Sequence, residues 1–390
     1  MTVPAPRVRR RPSLPGRALP ILLVVAVLAP LALLFGQTWQ LIGDDRDLAA
    51  RERLGVEYLR ALGPVTDALA TAQTAAVSGQ PGNGAALTRA VEEAAAVDAR
   101  LGEELRTQER WAGLRARIEA LRGRAPGDPV AAFTAYGEVT DLLLELYRKV
   151  RESSGLIRDP RTDSFFLQDA VGQDLPTAVV AAGRLSDLAL LATRRPAADR
   201  DRTLAELAGQ RTATLATATG VVTDLRAALD TSESTDLGTN VLTPLDTYQR
   251  SVEAMAAYSQ PTGRGSTIDP GPLGAARATA QSTATDLGPV ILDELDAALA
   301  DRVDGLDTDR RLALAGAALA LVLLAALGGV LVAAARRAAR RAAEARRQQQ
   351  AQREAEIPST VAPWSAEPLT PAIAGREPEP TQWRAFDAAR

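Results

Sequence analysis

The 390-residue sequence contains no histidine and no cysteine, and aromatic residues make up only 4% of it. These absences exclude Ser-His and Cys-His catalysis, zinc sites with imidazole or thiolate ligands, and disulfide bonds. A histidine kinase is excluded as well, because no histidine is present to accept phosphate. Carboxylates alone can bind a hard cation, but no loop has the spacing of such a site. We therefore expect no enzyme, no cofactor and no metal.

Charge is distributed unevenly along the chain, although the formal net charge is only −3. Residues 1–36 carry five arginines and no acidic residue, and residues 336–390 carry ten basic and seven acidic residues. The residues between them hold the remaining 30 basic and 41 acidic side chains. Basic ends and an acidic middle argue against nucleic acid as a partner.

Two apolar runs are long enough to cross about 30 Å of hydrocarbon. The first is Ala18–Gly36, and the second is Leu312–Ala335, which has 24 residues without a charge. A cleaved signal peptide is the rival interpretation of the first run. Its best small-residue site, Ala26-x-x-Ala29, has the wrong spacing for cleavage. The sequence therefore favours an uncleaved anchor.

Basic flanks on the outer side of each run place both termini in the cytoplasm by the positive-inside rule. The predicted domains are a disordered basic tail (1–17), a transmembrane helix (18–36), an extracytoplasmic helical domain (37–311), a second transmembrane helix (312–335), a basic juxtamembrane helix (336–356) and a disordered Pro-rich tail (357–390). Four arginines after the second span are expected to bind anionic lipid head groups: Arg336, Arg337, Arg340 and Arg341.

The middle domain is predicted to be helical almost throughout, because Ala, Leu and Arg dominate and apolar residues recur at helical spacing. Glycine- and proline-containing breakers divide it, and the second helix is expected to run from about Ala85 to Arg122. Asp128-Pro129 predicts an N-cap followed by a proline at the first helical position. Long helices of this kind predict an all-α fold, an elongated antiparallel bundle built as two stacked four-helix-type bundles.

A short sequence occurs twice, once in the first helix and once in the last. Leu62-Gly63-Pro64-Val65 is similar to Leu287-Gly288-Pro289-Val290. Counted along the helices, both prolines lie at similar heights above the membrane. They predict either a pair of kinks that form a joint in the membrane-connected helices or two ordinary breaks where short helices meet.

Two stretches resemble the helical extracytoplasmic sensor domains of bacterial chemoreceptors and other two-span signalling proteins. They are Glu52–Leu59, followed by Pro64, and Asp159–Asp169, followed by Leu175-Pro176. The resemblance implies an all-helical sensor between two membrane spans. The chain departs from the family pattern in having Phe165-Phe166 where tyrosines are usual.

The second of these stretches also has an interpretation from its residues alone. Asp163 or Ser164 can cap a helix whose phenylalanines plug the core, which is a purely structural role. Alternatively, Arg158 and Arg161, with the free N–H groups of the new helix, bind a small anion.

In the first stretch, Arg53 and Glu57 are spaced as an i,i+4 ion pair beside a half-buried Tyr58. The functional alternative makes Arg53 and Tyr58 ligand contacts. Arg158, Arg161, Asp163, Arg53 and Tyr58 are thus the candidate ligand-binding residues.

These observations predict a receptor-like membrane protein that binds a small anionic ligand outside the cell, with a homodimer as one possible assembly. The 55 residues after the second span are short and polar, so a separate cytoplasmic partner is expected to carry any signal inward. The alternative is a cell-envelope scaffold that holds protein partners and senses nothing. A receptor that has lost its output module would look the same.

Overall fold

A computed structural model describes residues 18–82, 84–123, 127–157, 162–231, 235–261 and 268–355, and these contain helices and no strand. The α-helices are α1 (Ala18–Ser78), α2 (Gly84–Leu101), α3 (Gln108–Gly123), α4 (Pro129–Ser154), α5 (Thr162–Asp169), α6 (Leu175–Arg194), α7 (Arg200–Thr231), α8 (Thr235–Tyr258) and α9 (Pro270–Ala355). A π-helical turn, Ala170–Asp174, joins α5 to α6, and a 3-10 turn, Ala197–Asp199, precedes α7. The prediction of an all-α protein is confirmed.

The chain divides into two compact units, Met1–Ala318 and Leu319–Arg390. In the first unit α1 packs against α2, α4 and α6, and α7 packs against α5, α6 and α8. One large apolar core contains buried residues from all of these helices, and α5 contributes Leu167 alone. In the second unit the described residues are helical up to Ala355. The tails predicted at 1–17 and 357–390 lie outside the described residues.

The two longest helices, α1 with 61 residues and α9 with 86, run through their internal prolines. Pro64 lies inside α1 and Pro289 inside α9, and neither ends its helix. The interpretation of these prolines as breaks between short helices is therefore wrong. Buried side chains before and after each proline stabilise the helix where the proline removes one backbone hydrogen bond; they include Leu62 and Val65 in α1 and Leu287 and Ile291 in α9. The expected continuity of the last helix into its apolar run is confirmed.

The start of α4 follows the predicted cap. Asp128 is extended, and its Oδ2 accepts a hydrogen bond of 2.8 Å from the N–H of Ala131, while Pro129 occupies the first turn. The side chain satisfies an N–H that has no partner within the helix, and proline there has no N–H to satisfy. The helix ends at Gly155, whose φ of 93° lies in the left-handed region that glycine adopts without strain.

The second predicted helix, Ala85–Arg122, is two helices with a turn at residues 102–107. Gly102 permits the turn, because a Cβ there would lie 2.4 Å from the carbonyl oxygen of Asp98. The Oδ1 of Asp98 accepts hydrogen bonds of 2.8 Å from the hydroxyls of Tyr58 and Thr107. These buried contacts stabilise the turn over continued helix. The prediction was wrong because Tyr58 belongs to another helix.

Among the described residues, three helical segments are long and apolar enough to cross a membrane: Val25–Ser78, Ser164–Arg194 and Pro270–Arg353. The most apolar windows of the first and third are not buried against protein. The window in Ser164–Arg194 is 72% buried, as expected of a core helix in a bundle.

Candidate functional site: a cavity beside the two longest helices

Side chains spaced seven residues apart on α1 contact α9. These residues are Trp39, Arg46, Arg53, Arg60, Asp67 and Thr74. Their contacts on α9 are, in the same order, Arg310, Asp307, Asp296, Asp293, Gln281 and Arg277. The sequence separation of the partners falls from 261 at Arg46–Asp307 to 203 at Thr74–Arg277, which is the pattern of two antiparallel helices in one register. A seven-residue spacing keeps one stripe of a helix facing its neighbour. We call this set of contacts the ladder.

The charged contacts of the ladder are well formed but largely open to solvent. Arg46 Nε lies 2.7 Å from Asp307 Oδ1, and Arg53 donates two hydrogen bonds, of 2.8 and 3.1 Å, to the carboxylate of Asp296. The Arg53 and Asp296 side chains are 43% and 37% exposed. Such exposed pairs contribute little to stability, because solvent screens their attraction. They therefore determine the register of the two helices more than their stability.

A cavity of about 550 Å³ lies beside the ladder, and Pro64 and Pro289 both line it. The lining residues come from α1, α2, α4, the π-helical turn, α6 and α9. Its apolar walls include Leu59, Ala90, Val171, Leu175, Ala284 and Leu292. Small-molecule sites are usually concave, mainly apolar and about 300–1,000 Å³ in volume. The cavity has these properties.

The prolines add backbone acceptors at the level of the cavity. A proline inside a helix has no N–H, so the carbonyl four residues before it receives no hydrogen bond from the helix. That carbonyl belongs to Arg60 for Pro64 and to Thr285 for Pro289, and both residues line the cavity. At the cavity, α1 and α9 thus each have a proline ring and a carbonyl that lacks its usual helical donor.

The polar side chains of the cavity divide into a buried pair and a charged rim. The buried hydroxyls of Thr66 and Tyr147 share a hydrogen bond of 3.0 Å. Burial raises the pKa of Tyr147 above its usual range, so this phenol stays neutral. The rim carries two cations and two anions: Arg60, Arg89, Asp67 and Glu93. The cavity therefore has no excess of either charge.

A polar network connects the cavity rim to the bundle core. Asp187 of α6 is fully buried and accepts a hydrogen bond of 2.7 Å from the hydroxyl of Thr74. Thr74 accepts one of 2.7 Å from Arg277, which also donates to Gln281, and Gln281 donates to Asp67 on the rim. Burial raises the pKa of Asp187 to about 6, against the opposing effects of Thr74 and Arg277.

A second group of ionisable residues surrounds the π-helical turn. The 8% exposed side chain of Arg151 forms an ion pair with Asp169 and donates to Gln173. The carboxyl groups of Asp174, in the turn, and Asp224, in α7, lie close enough for each to influence the pKa of the other. Burial, with the charges of Asp174 and Asp169, raises the pKa of Asp224 to about 7. No cluster suited to a metal ion occurs among the described residues.

The structure gives Arg53 and Tyr58 partners other than those expected from sequence. Arg53 pairs with Asp296 across to α9, while Glu57 pairs with Arg100 of α2 at 2.6 Å, so the expected i,i+4 pair is absent. Tyr58 is fully buried rather than half-buried, and its hydroxyl donates to Asp98. Burial raises the pKa of this phenol above its usual range.

The predicted anion site falls largely outside the described residues. Arg158 and Arg161 are not among them, and Asp163 is placed in the first turn of α5 without a described side chain. Phe166 packs against the core, whereas Phe165 is 38% exposed. Only the Phe166 ring therefore packs into the core as predicted. The anion site stays a prediction.

The four arginines predicted to bind lipid head groups lie in α9 and are exposed: Arg336, Arg337, Arg340 and Arg341. Their exposure is compatible with lipid binding, which stays a prediction.

The cavity was not predicted from sequence, although a signal for it was present. The repeated Leu-Gly-Pro-Val supplies Gly63, Pro64, Gly288 and Pro289, and all four line the cavity. Pro64 and Pro289 thus lie beside one cavity, while their similar height above a membrane stays a prediction. The contributions of α2, α4 and α6 depend on packing that a local repeat does not encode.

Comparison of the chain with protein-family models, with curated proteins and with solved structures gives no match. The resemblance to bacterial sensor domains therefore rests on the two short stretches quoted above.

Proposed function

We propose that this is a membrane-anchored, receptor-like protein whose extracytoplasmic domain, residues 37–311, binds a ligand in the cavity. In this proposal Ala18–Gly36 and Leu312–Ala335 are the two membrane spans, both termini are cytoplasmic, and Ser164–Arg194 is a core helix. The observation that carries the proposal is that Pro64 and Pro289, in the two helices that contain the spans, line one cavity. A ligand there contacts both helices at once.

The lining indicates the class of ligand. Its walls are mainly apolar, its buried hydroxyl pair is neutral, and its rim has equal numbers of positive and negative side chains. A mainly apolar molecule of drug-like size, uncharged or zwitterionic, fits this chemistry. This ligand class differs from the small anion predicted at Arg158 and Arg161.

The ladder supports a response to binding. Its exposed ion pairs are individually weak, so they add little resistance to a shift of α9 along α1. Arg53 pairs with Asp296 and is also close enough to Asp304 to feel its charge, so one guanidinium has two carboxylates along the same helix. We propose that ligand binding shifts α9 relative to α1 and that a cytoplasmic partner reads this shift.

The first experiment tests the chemistry of the cavity by cysteine labelling, which is clean because the chain has no native cysteine. Gly63→Cys places a thiol at the cavity, and Gly209→Cys in α7 is the matched control. Both glycines are exposed, and a Cβ added at either position would have no other atom within 4 Å. In full-length protein in lipid vesicles, the neutral aromatic reagent N-benzylmaleimide should label Gly63→Cys faster than Gly209→Cys. A small anionic thiosulfonate should show no such preference. If the ratio of the labelling rate at Gly63→Cys to that at Gly209→Cys is the same for both reagents, the apolar-ligand proposal is overturned.

The second experiment tests coupling without a known ligand. Gly63→Trp fills part of the cavity, and Gly209→Trp is its control. Each is combined with Arg46→Cys and Asp307→Cys, which lie at one contact of the ladder. Gly63→Trp should change the rate of disulfide formation between these cysteines, and Gly209→Trp should not. An unchanged rate in the Gly63→Trp protein would contradict signalling through α9 and favour the envelope scaffold.

A further inference from the structure

The π-helical turn Ala170–Asp174 separates the cavity from the carboxyl pair at α7. Val171 of the turn lines the cavity, whereas Asp174 at its end lies against α7 beside Asp224. A π-helical turn contains one residue more than the α-helix would use, and such turns often occur at functional sites. Rewinding it to α-helix would rotate the residues that line the cavity. The turn can therefore connect a change at Asp174 with the shape of the cavity wall.

The carboxyl pair is held in close contact by small residues. A Cβ added to Gly220 of α7 would lie 2.1 Å from Oδ2 of Asp174, so the carboxyl group of Asp174 lies directly over the α7 backbone. On the other side of the turn, a Cβ at Gly172 would lie 2.7 Å from Cδ of Arg151. These two glycines let α7 and Arg151 approach the turn closely. Gly220 lies one helical turn before Asp224, so Asp174 sits on the same face of α7 as Asp224.

The charges facing the pair do not balance when every acid is ionised. Within the described part of the chain, Arg151 of α4 supplies the positive charge, against the carboxyl groups of Asp169, Asp174 and Asp224. From α8 the buried hydroxyl of Tyr248 faces Asp174 and makes no hydrogen bond with the described residues. Two adjacent carboxylates repel each other, and one retained proton removes the repulsion and supplies a hydrogen bond.

The hydrogen bonding fits a proton on Asp224. Its Oδ2 is buried and has no hydrogen-bond partner among the described residues, so an ionised Asp224 would hold a buried carboxylate oxygen without a donor. A protonated Asp224 can instead donate to the carboxylate of Asp174. The pKa of Asp224, raised to about 7, places the loss of this proton near neutral pH.

We propose that Asp174 and Asp224 form a proton-operated latch that holds α7 against the π-helical turn. With one proton shared, the two carboxyl groups hold the turn in place. Loss of the proton creates a second carboxylate, the two repel, and the turn opens. The latch goes beyond the proposed function. Its effect on the cavity wall through Val171, however, rests on the proposed function of the cavity.

The latch is tested by hydrogen exchange of the full-length protein in detergent micelles, followed in peptides that cover Ala170–Leu175. After correction for intrinsic exchange, protection of the turn should fall about tenfold from pH 6 to pH 8, because only the closed state takes up the proton. Asp224→Asn can still donate to Asp174, so it should stay protected at both pH values. Asp230→Asn, an exposed position on the same helix, should behave as the wild type.

Protection in the wild type that is independent of pH would overturn the latch, as would an unchanged pH dependence in Asp224→Asn. Should Asp224→Asn not fold, Asp174→Asn tests the same proton from the other side of the pair. The effect on the cavity is measured separately, as the ratio of N-benzylmaleimide labelling at Gly63→Cys to that at Gly209→Cys. A ratio that differs between pH 6 and pH 8 supports the connection to the cavity. A constant ratio with pH-dependent exchange overturns that connection and leaves the latch in place.

Discussion

Pro64 and Pro289 line the same cavity, although one lies in the first helix of the chain and the other in the last. Each belongs to a helix that continues into an exposed apolar segment. The position of the cavity makes its occupancy relevant to both helices that we propose to enter the membrane.

Replacement of Tyr58 by phenylalanine tests the contact that ends α2. Its hydroxyl donates a hydrogen bond of 2.8 Å to Asp98 in a fully buried setting. Tyr58→Phe should lower the free energy of unfolding by about 1–3 kcal/mol, because the buried carboxylate loses one of its two hydroxyl donors. Urea unfolding of the full chain in detergent, followed by circular dichroism, measures this. Tyr258→Phe, at a position that is 47% exposed, should change it little. Equal effects of the two substitutions would contradict a structural role for the Tyr58 hydroxyl.

Glycine-to-alanine substitutions at two positions should change the free energy of unfolding in opposite directions. At Gly102 an added Cβ would lie 2.4 Å from the carbonyl oxygen of Asp98, so Gly102→Ala must displace the turn between α2 and α3. A loss of about 1–3 kcal/mol is expected. Gly113 lies inside α3 with nothing within 4 Å of a Cβ, so Gly113→Ala should stabilise by about 0.5–1 kcal/mol through helix propensity. Thermal unfolding of both proteins gives the signs, and stabilisation by Gly102→Ala would show that the turn does not need glycine.

The pH dependence of stability should reveal the raised pKa of the buried Asp187. Its folded pKa, raised to about 6, lies above the ordinary value of 3.8, so the folded state binds more protons between these pH values. Raising the pH through this window therefore destabilises the protein, by about 1.4 kcal/mol per unit at most for one group. Urea midpoints of wild type and Asp187→Asn, measured at several pH values from 4 to 8, isolate this contribution. The wild type should lose stability relative to Asp187→Asn as pH rises towards 6. A constant difference between the two proteins would rule out the raised pKa.

The all-helical fold followed from composition and periodicity, and the start of α4 followed from the adjacent residues Asp128 and Pro129. These features are local, so the sequence contains them directly. The interruption after Leu101 does not follow locally, because it depends on the contact of Tyr58 with Asp98. Leu-Gly-Pro-Val occurs twice and indicated two related positions, but helix packing decided that both face one cavity.

The ion-pair partners of Arg53 and Glu57 likewise could not be predicted from local sequence. Their spacing suits an i,i+4 pair, but Asp296 and Arg100 lie closer in the folded bundle. An exposed i,i+4 pair contributes only about 0.2–0.5 kcal/mol, so a second helix with an opposite charge easily replaces it. Charged residues on the faces of α1 were therefore less predictable than the buried apolar ones.

Two ion pairs between α1 and α9 should respond differently to mutation. Arg53 and Asp296 are exposed, so a double-mutant cycle with alanine should give a coupling of about 0–1 kcal/mol that declines with added salt. Arg302 lies 3.4 Å from Glu52, and these side chains are 10% and 0% exposed. Arg302→Ala leaves a buried carboxylate without its guanidinium and should cost about 1–3 kcal/mol, nearly independent of salt. Urea unfolding at low and high salt distinguishes the two pairs. A strongly salt-dependent Arg302→Ala effect would mean that water reaches Glu52, and that both pairs set the register of the helices rather than their stability.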